Sequence, residues 1–300
     1  RLMTYVSRLC RFMSLSRVST FVPVSSSTAR RWDKKVLKAE LPEPDLDDLE
    51  VLLVDEKSVG HHHDYVTVVW DGQTGELLHM DEGKKKRSIR SFFDRLDEDQ
   101  KSTVCAVGMD RAGAYKEVVE EEVPEAEIVY DKFHLIKNYH GVIDDVRRQE
   151  WRQADEEDKD LVKGQRYNLF RNEENLTEQQ AQDLQRLLEE NENLNTVYVL
   201  KDALRKLWDY SYRACAEKYL RKWVGWAKES GLEPLGKFAR SLESSKEYVL
   251  NYCNHRITLG PLEGFNNVIS RIVHRACGYQ DMEYLFLKLR QESLKPSPQK

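Results

Sequence analysis

No stretch of this 300-residue chain approaches the roughly eighteen consecutive apolar residues that a membrane-spanning helix needs, which excludes an integral helical membrane protein. Its five cysteines, at positions 10, 105, 215, 253 and 277, are odd in number, widely scattered and never spaced CxxC. That argues against a disulfide scaffold and against a cysteine-built zinc site, and fits a reducing cytoplasm. Fourteen glycines and eight prolines are too few for a collagen-like, flexible-linker or low-complexity chain. A charged-then-apolar secretion signal is lacking, and the sequence begins with Arg1 rather than Met, as a fragment missing its true start would. What is present, 40% hydrophobic and 33% charged residues over this length, describes one large globular domain or two smaller ones.

The net charge of −5 conceals an asymmetry. Residues 1–41 carry nine Arg and Lys against only Asp33 and Glu40. Residues 143–193 are acidic and rich in Gln and Asn, and the balance turns positive again from 254 onward. A basic end on an acidic protein is a footprint for nucleic acid, with a solvated helix face as the plainer alternative. Apolar spacing predicts three short helices in residues 1–38: Val6, Leu9, Cys10 and Met13 recur at helical spacing, then Leu15, Val18 and Phe21. Pro23 stops the second, and Ser25, Ser26, Ser27 and Thr28 offer N-caps for a third, Ala29 to Leu37, bearing Arg30, Arg31, Lys34 and Lys35. Two helices, a tight turn and a basic helix opening on Ser/Thr form a helix-turn-helix pattern, so residues 1–41 read as a DNA-binding segment. Pro23 cannot take the positive φ that a glycine in such a turn would supply. The turn is therefore built differently, or the triplet is a plain helical bundle.

Residues 42–50 (PEPDLDDLE) read as a linker. Thereafter strands are expected at Val51–Val54, ending on Asp55, then at Tyr65–Trp70 and Glu76–Met80, with Asp71 to Gly75 as the turn joining the last two. A helix at Ile89–Leu96, a strand at Thr103–Val107 stopping at Asp110, a helix at Ala114–Glu122 and a strand at Glu127–Tyr130 stopping at Asp131 complete a first core part, residues 51–131. Residues 132–255 read almost entirely as helix, and 256–300 as two closing helices. Three strands, a helix, a strand, a helix and a strand is the order of a ribonuclease-H-like α/β fold, although other α/β folds come close. The aromatics of residues 198–226 read as core of the helical stretch.

Asp55 and Asp110 each stand where an apolar strand ends, the place where open α/β sheets present ligands. Magnesium favours oxygen ligands and is commonly held by one or two carboxylates plus a substrate phosphate. Glu263, near the start of a helix (PLEGFNN), could close the cluster, and three carboxylates can hold two ions for an in-line displacement at phosphorus. The duller readings are strand-end turns for the aspartates and a dipole-favoured first-turn acid for Glu263. His61-His62-His63 looks metal-like but has no spaced Cys or His partner. Lys84-Lys85-Lys86-Arg87 suits a DNA contact or a solvated loop equally.

Several long motifs go further than scattered acids: LLVDE ending at Glu56, MDRAGAYKEVV at 109–119, VPEAEIVYDKFHLIKNY at 123–139 and PLEGFNNVISRIVHRACGYQDMEYL at 261–285. In these the chain resembles the DDE transposases of the ISL3 insertion-sequence family, over most of its length and least from about 150 to 240. The resemblance implies an α/β ribonuclease-H-like mixed sheet with a large all-helical insertion, preceded by the helix-turn-helix. It places the catalytic and metal-binding triad on Asp55, Asp110 and Glu263, with two Mg²⁺ ions (or Mn²⁺) per site. It implies cleavage at element ends and strand transfer into target DNA. Asp131 with His134 is similar to a D-x-x-H pair of related families and would support the site, as would Asn266 and Asn267, one turn beyond Glu263. Ser26, Thr28, Arg30, Arg31, Lys34, Lys35, Arg271 and Arg275 are the expected DNA contacts. The implied partners are double-stranded DNA, as terminal inverted repeats and target, and a second copy of the chain in a homodimer or larger assembly, in the cytoplasm at the nucleoid. Family members generally carry a cysteine-based zinc segment ahead of the helix-turn-helix, which is not found here and agrees with a shortened N-terminus. The competing readings are a transposase-derived DNA-binding protein without activity, and a nuclease or resolvase on the same sheet.

Overall fold

The computed structural model describes residues 1–60, 65–111 and 113–294, apart from the side chains of residues 156–158, 161, 261 and 263. The histidine run 61–63 lies outside the described residues.

In chain order the elements are α1 (Leu2–Phe12), α2 (Leu15–Phe21), α3 (Ser26–Glu40), β1 (Val51–Ser58), β2 (Tyr65–Asp71), β3 (Leu77–Glu82), α4 (Lys86–Phe93), α5 (Glu98–Thr103), β4 (Ala106–Met109), α6 (Gly113–Glu122) and β5 (Glu127–Tyr130). Helices α7 (Lys132–Gln153), α8 (Glu156–Gly164), α9 (Arg166–Phe170), α10 (Glu178–Glu190), α11 (Glu192–Arg205), α12 (Arg213–Glu229), α13 (Glu233–Ser244), α14 (Lys246–Leu250) and α15 (Tyr252–His255) follow. The chain closes with α16 (Gly260–Ala276) and α17 (Met282–Ser293). Contacts divide it into two compact units, residues 1–128 with 258–300, and residues 129–257. No helix among the described residues is long and apolar enough to cross a membrane.

The three N-terminal helices close on Val6, Cys10, Val18, Val22 and Ala29, flanked by Leu9, Met13, Leu15, Val24 and Trp32. The helical spacing therefore found the core, with one exception: Phe21 is 67% exposed. The third helix begins three residues earlier than expected, because the Ser25 side chain caps it by accepting the Thr28 N–H. The turn before it answers the question Pro23 posed. The Val24 N–H donates to the Val22 carbonyl at 2.8 Å, closing a three-residue turn centred on Pro23. No residue of this turn has positive φ, so the negative φ locked by proline is suited to it.

Helix α3 is fastened to α17 by a buried charge. Asp33, fully buried, accepts hydrogen bonds from Ser7 Oγ (2.6 Å), Tyr284 OH (2.5 Å) and the equally buried Lys288 Nζ (3.1 Å). Around it, Lys34 pairs with Asp281 at 2.9 Å and Glu283 at 2.6 Å, Lys38 pairs with Glu283, and Arg11 with Glu292 at 3.3 Å.

The five strands form one mixed sheet in the order β3-β2-β1-β4-β5. Strands β1, β2 and β3 pair antiparallel, while β1 and β4 pair parallel. Gly75, at φ +74°, supplies the left-handed residue of the β2–β3 turn. Helix α5 was not expected, although Asp97 and Gln100 form a reciprocal capping box at its start. In the second unit, Trp223 and Tyr139 are fully buried and meet at 6.0 Å between ring centroids. Trp208 and Tyr198 are buried as well, whereas Tyr212 is 78% exposed.

Candidate active site

One sequence expectation needs correcting first. Strand β1 does not end at Asp55 but runs on to Ser58, paired with β2 from Leu52↔Asp71 to Ser58↔Tyr65. What ends there is the parallel ladder, whose last pair is Val54↔Met109. The next residue on each strand is an aspartate, Asp55 on β1 and Asp110 just past β4. Adjacent strands lie about 4.8 Å apart, so the register sets the two acids side by side. Asp55 keeps a strand neighbour on the β2 side only, which opens its other side.

The two carboxylates are oriented alike. Asp55 Oδ1 accepts the Glu56 N–H at 2.8 Å, and Asp110 Oδ1 accepts the Arg111 N–H at 2.6 Å. Helix α16 reaches the first of them, for Asn266 Nδ2 donates to Asp55 Oδ2 at 2.8 Å. The preceding residue, Phe265, packs edge-on against Trp70 of β2 with ring centroids 4.3 Å apart, and Ile269 and Ile272 continue the buried face of the helix. Trp70 pairs with Leu53, two residues before Asp55, so Phe265 and Asn266 anchor α16 on the Asp55 face of the sheet. Glu263 lies on this helix one turn before Asn266, and its side chain is outside the described residues. Asn267 points to the exposed side.

Asp55 is buried, 8% exposed, yet it forms no ion pair among the described residues. Among the described residues its two oxygens are held by neutral N–H donors alone. An ionised carboxylate removed from water without a counter-charge is costly, and a bound cation would offset that cost. Hard oxygen donors on adjacent strands suit a magnesium-type ion. Among the described residues no group of three His, Cys, Asp or Glu converges to hold a metal.

Sequence reasoning passed over Glu56. Burial pushes its carboxyl upward; Lys84 opposes this, while Asp110 and Asp55 add to it, and the Tyr115 hydroxyl hydrogen-bonds it. Tyr115, 1% exposed, also meets Thr67 Oγ1 at 2.7 Å, and Thr67 donates to the Gly83 carbonyl at 2.9 Å. A second acid directly after Asp55 was the available signal.

Other expected residues have separate positions. Asp131, 3% exposed, caps α7 in the second unit: its Oδ2 accepts the His134 N–H and lies 3.0 Å from His134 Nδ1. That spacing selects the His134 tautomer protonated at Nδ1. On α3, Arg31 and Lys35 are exposed, Ser26, Thr28 and Arg30 are half-buried, and Lys34 is taken up by Asp281 and Glu283. Arg271 is exposed and Arg275 half-buried. In the basic run, Lys86 pairs with Glu117 and Lys84 sits 4.2 Å over the Tyr65 ring.

Comparison with known proteins fits this arrangement. The family model described as "DDE_Tnp_ISL3: Transposase" matches residues 52–289, from the start of β1 into α17. The transposase of insertion sequence IS1001 from Bordetella parapertussis is 36% identical over 293 residues, covering 97% of this chain and 72% of that protein. The IS1557 transposase of Mycobacterium tuberculosis, in strains CDC 1551 and H37Rv, is 26% identical over 255 residues, 77% of this chain and 57% of its own length. The chain belongs to the ISL3 family of DDE insertion-sequence transposases.

Proposed function

We propose that the chain cuts DNA at the ends of an insertion sequence and joins the freed ends to target DNA, with Asp55, Asp110 and Glu263 as its catalytic carboxylates. The observation that carries this reading is the side-by-side placement of Asp55 and Asp110 at the end of the parallel ladder, with the helix of Glu263 hydrogen-bonded to Asp55 through Asn266. The strand order β3-β2-β1-β4-β5 supports a ribonuclease-H-like core. The three carboxylates would hold two Mg²⁺ ions, or Mn²⁺, which when bound supply activation of the attacking oxygen and stabilisation of the leaving one.

The chain's own residues prepare that site. The Glu56 N–H and the Asn266 amide fix both oxygens of Asp55, so its orientation is set before substrate arrives. The Arg111 N–H does the same for one oxygen of Asp110. Cutting and joining are both in-line displacements at phosphorus, one with water and one with a 3′-hydroxyl as nucleophile, so one set of carboxylates serves both. Arg31 and Lys35, on the exposed side of α3, would meet the phosphates of the terminal inverted repeats, with Ser26, Thr28, Arg271 and Asn267 as further DNA contacts. Joining two ends calls for at least a dimer, acting on double-stranded DNA at the nucleoid.

The test is a labelled terminal-repeat duplex with Mg²⁺, scored for both nicking and joining by the wild type and by Glu263→Gln. Joining by the wild type alone is expected. Cutting that survives in Glu263→Gln would overturn the assignment of the third carboxylate.

A further inference from the structure

The first unit contains an open groove of about 1020 Å³, formed where the start of α2 and the start of α3 face the end of β1, the start of β2 and the turn after α16. Three cations line it from three separate parts of the chain: Arg30 on α3, Lys85 before α4 and Arg275 at the end of α16. None of the three forms an ion pair among the described residues, whereas their neighbours Lys34, Lys38 and Lys86 all do. Of the two acids on the wall, Asp281 is already bound by Lys34, which leaves Glu82 against three cations. The rings of Tyr65, over which Lys84 sits, and Tyr279, both half-buried, are also on the lining.

A volume of this order matches the upper range of ligand cavities. At about 1020 Å³ it has room for a strand of a few nucleotides. Converging cations with interleaved aromatic rings are the elements with which proteins hold single-stranded nucleic acid, the cations tracking phosphates and the rings stacking bases without regard to sequence. The position is also informative. Val59, on the groove wall, lies four residues beyond Asp55 and just past the end of β1, roughly 13 Å at about 3.3 Å per residue.

We infer that this groove binds a short single-stranded DNA segment beside the scissile phosphate, a role separate from duplex recognition by the exposed side of α3. The inference rests on the functional reading above. It assigns Arg30 and Arg275 to single-strand phosphates together with Lys85, and leaves Arg31 and Lys35 to the duplex.

The full chain is titrated with a fluorescent fifteen-nucleotide oligo-dT and, separately, with a fluorescent random-sequence duplex of the same length, without divalent metal so that no cutting occurs. Arg30→Ala/Lys85→Ala/Arg275→Ala is expected to weaken oligo-dT binding at least tenfold while duplex affinity stays within threefold. Its salt slope on single strand should flatten by about two, from roughly 0.7 per lost phosphate contact. Arg31→Ala/Lys35→Ala should show the opposite preference. In the wild type, photocrosslinking with 5-iodo-deoxyuridine should label Tyr65 or Tyr279, which needs no variant to fold. Equal losses on both probes, no loss on oligo-dT, or crosslinks confined to α3 would overturn the proposal. Failure of the catalytic reading is distinguishable: Asp55→Asn would then still cut, whatever the binding results.

Discussion

Asp33 and Asp55 are both buried aspartates of the first unit, and their surroundings differ in one respect. Asp33 brings its own cation, Lys288, and is further held by Ser7 and Tyr284. Asp55 is held by a backbone N–H and the amide of Asn266, with no ion pair among the described residues. The second unit repeats the first solution, for Asp144 is bonded by Arg147 at 2.8 Å, Arg148 at 2.8 Å and Arg166 at 3.1 Å. Asp33 and Asp144 receive counter-charges from the chain, whereas Asp71, also buried, is held in its turn by the Gln73 N–H and the Thr74 hydroxyl. At Asp55 the chain supplies orientation through the Glu56 N–H and the Asn266 amide, and under the proposed function charge compensation would come from a bound cation. Neutral donors alone thus do not mark a site, since Asp71 has them too; what sets Asp55 apart is its place beside Asp110 at the end of the parallel ladder.

The contrast can be broken by exchanging the same substitution between the sites. Asp55→Asn should abolish joining of terminal-repeat DNA while leaving the melting temperature little changed, since Asp55 forms no ion pair among the described residues. Calorimetry beside a strand-transfer assay checks both halves. Asp33→Asn should do the reverse, lowering stability by about 3–5 kcal/mol because Lys288 is left buried and unpaired, as read by denaturant unfolding.

Acid sensitivity sharpens the comparison with a group that solves burial by staying neutral. Burial, together with Arg95, holds His79 at about 4, against an ordinary value of 6.5. The unfolded chain therefore takes up a proton near pH 6.5 and the folded chain only near 4. This contribution is intact above about pH 6.5 and is lost as the pH falls toward 4. At about 1.4 kcal/mol per pKa unit, the loss reaches about 3 kcal/mol. His79→Gln should flatten the pH dependence of unfolding between those limits. The smallest effect is expected at Asn266→Ala, which frees one oxygen of Asp55 and should reduce activity about 10–100-fold with a raised Mg²⁺ requirement, measured by joining rate against metal concentration.

Much of this was legible in the sequence, for reasons specific to each element. The strand Glu127–Tyr130 follows from a short apolar run, and α1 and α2 follow from apolar spacing that packs as Val6, Cys10 and Val18, whereas the strand before Asp110 lies at Ala106–Met109 rather than Thr103–Val107, because Thr103 closes α5. The extent of β1 was not legible: Asp55, Glu56, Lys57 and Ser58 are polar, and they remain strand because β2 pairs with them. Asn266 was chosen as an amide on the face of Glu263, but its bond to Asp55 spans 211 residues and no local pattern encodes it. The same limit applies to Lys34, which reads as a DNA contact in a basic helix and is bound instead by acids of the distant Asp281–Glu283 segment. The groove draws on three distant stretches, and each of its cations is ordinary in its local sequence.

Under the proposed function a divalent cation would supply the counter-charge that Asp55 does not receive among the described residues. Melting curves of the wild type, Asp55→Asn and Asp33→Asn across a Mn²⁺ titration test it most directly. The account predicts that Mn²⁺ stabilises the wild type and Asp33→Asn, each relative to its own metal-free form, and leaves Asp55→Asn unmoved. An equal Mn²⁺ response in Asp55→Asn would contradict it.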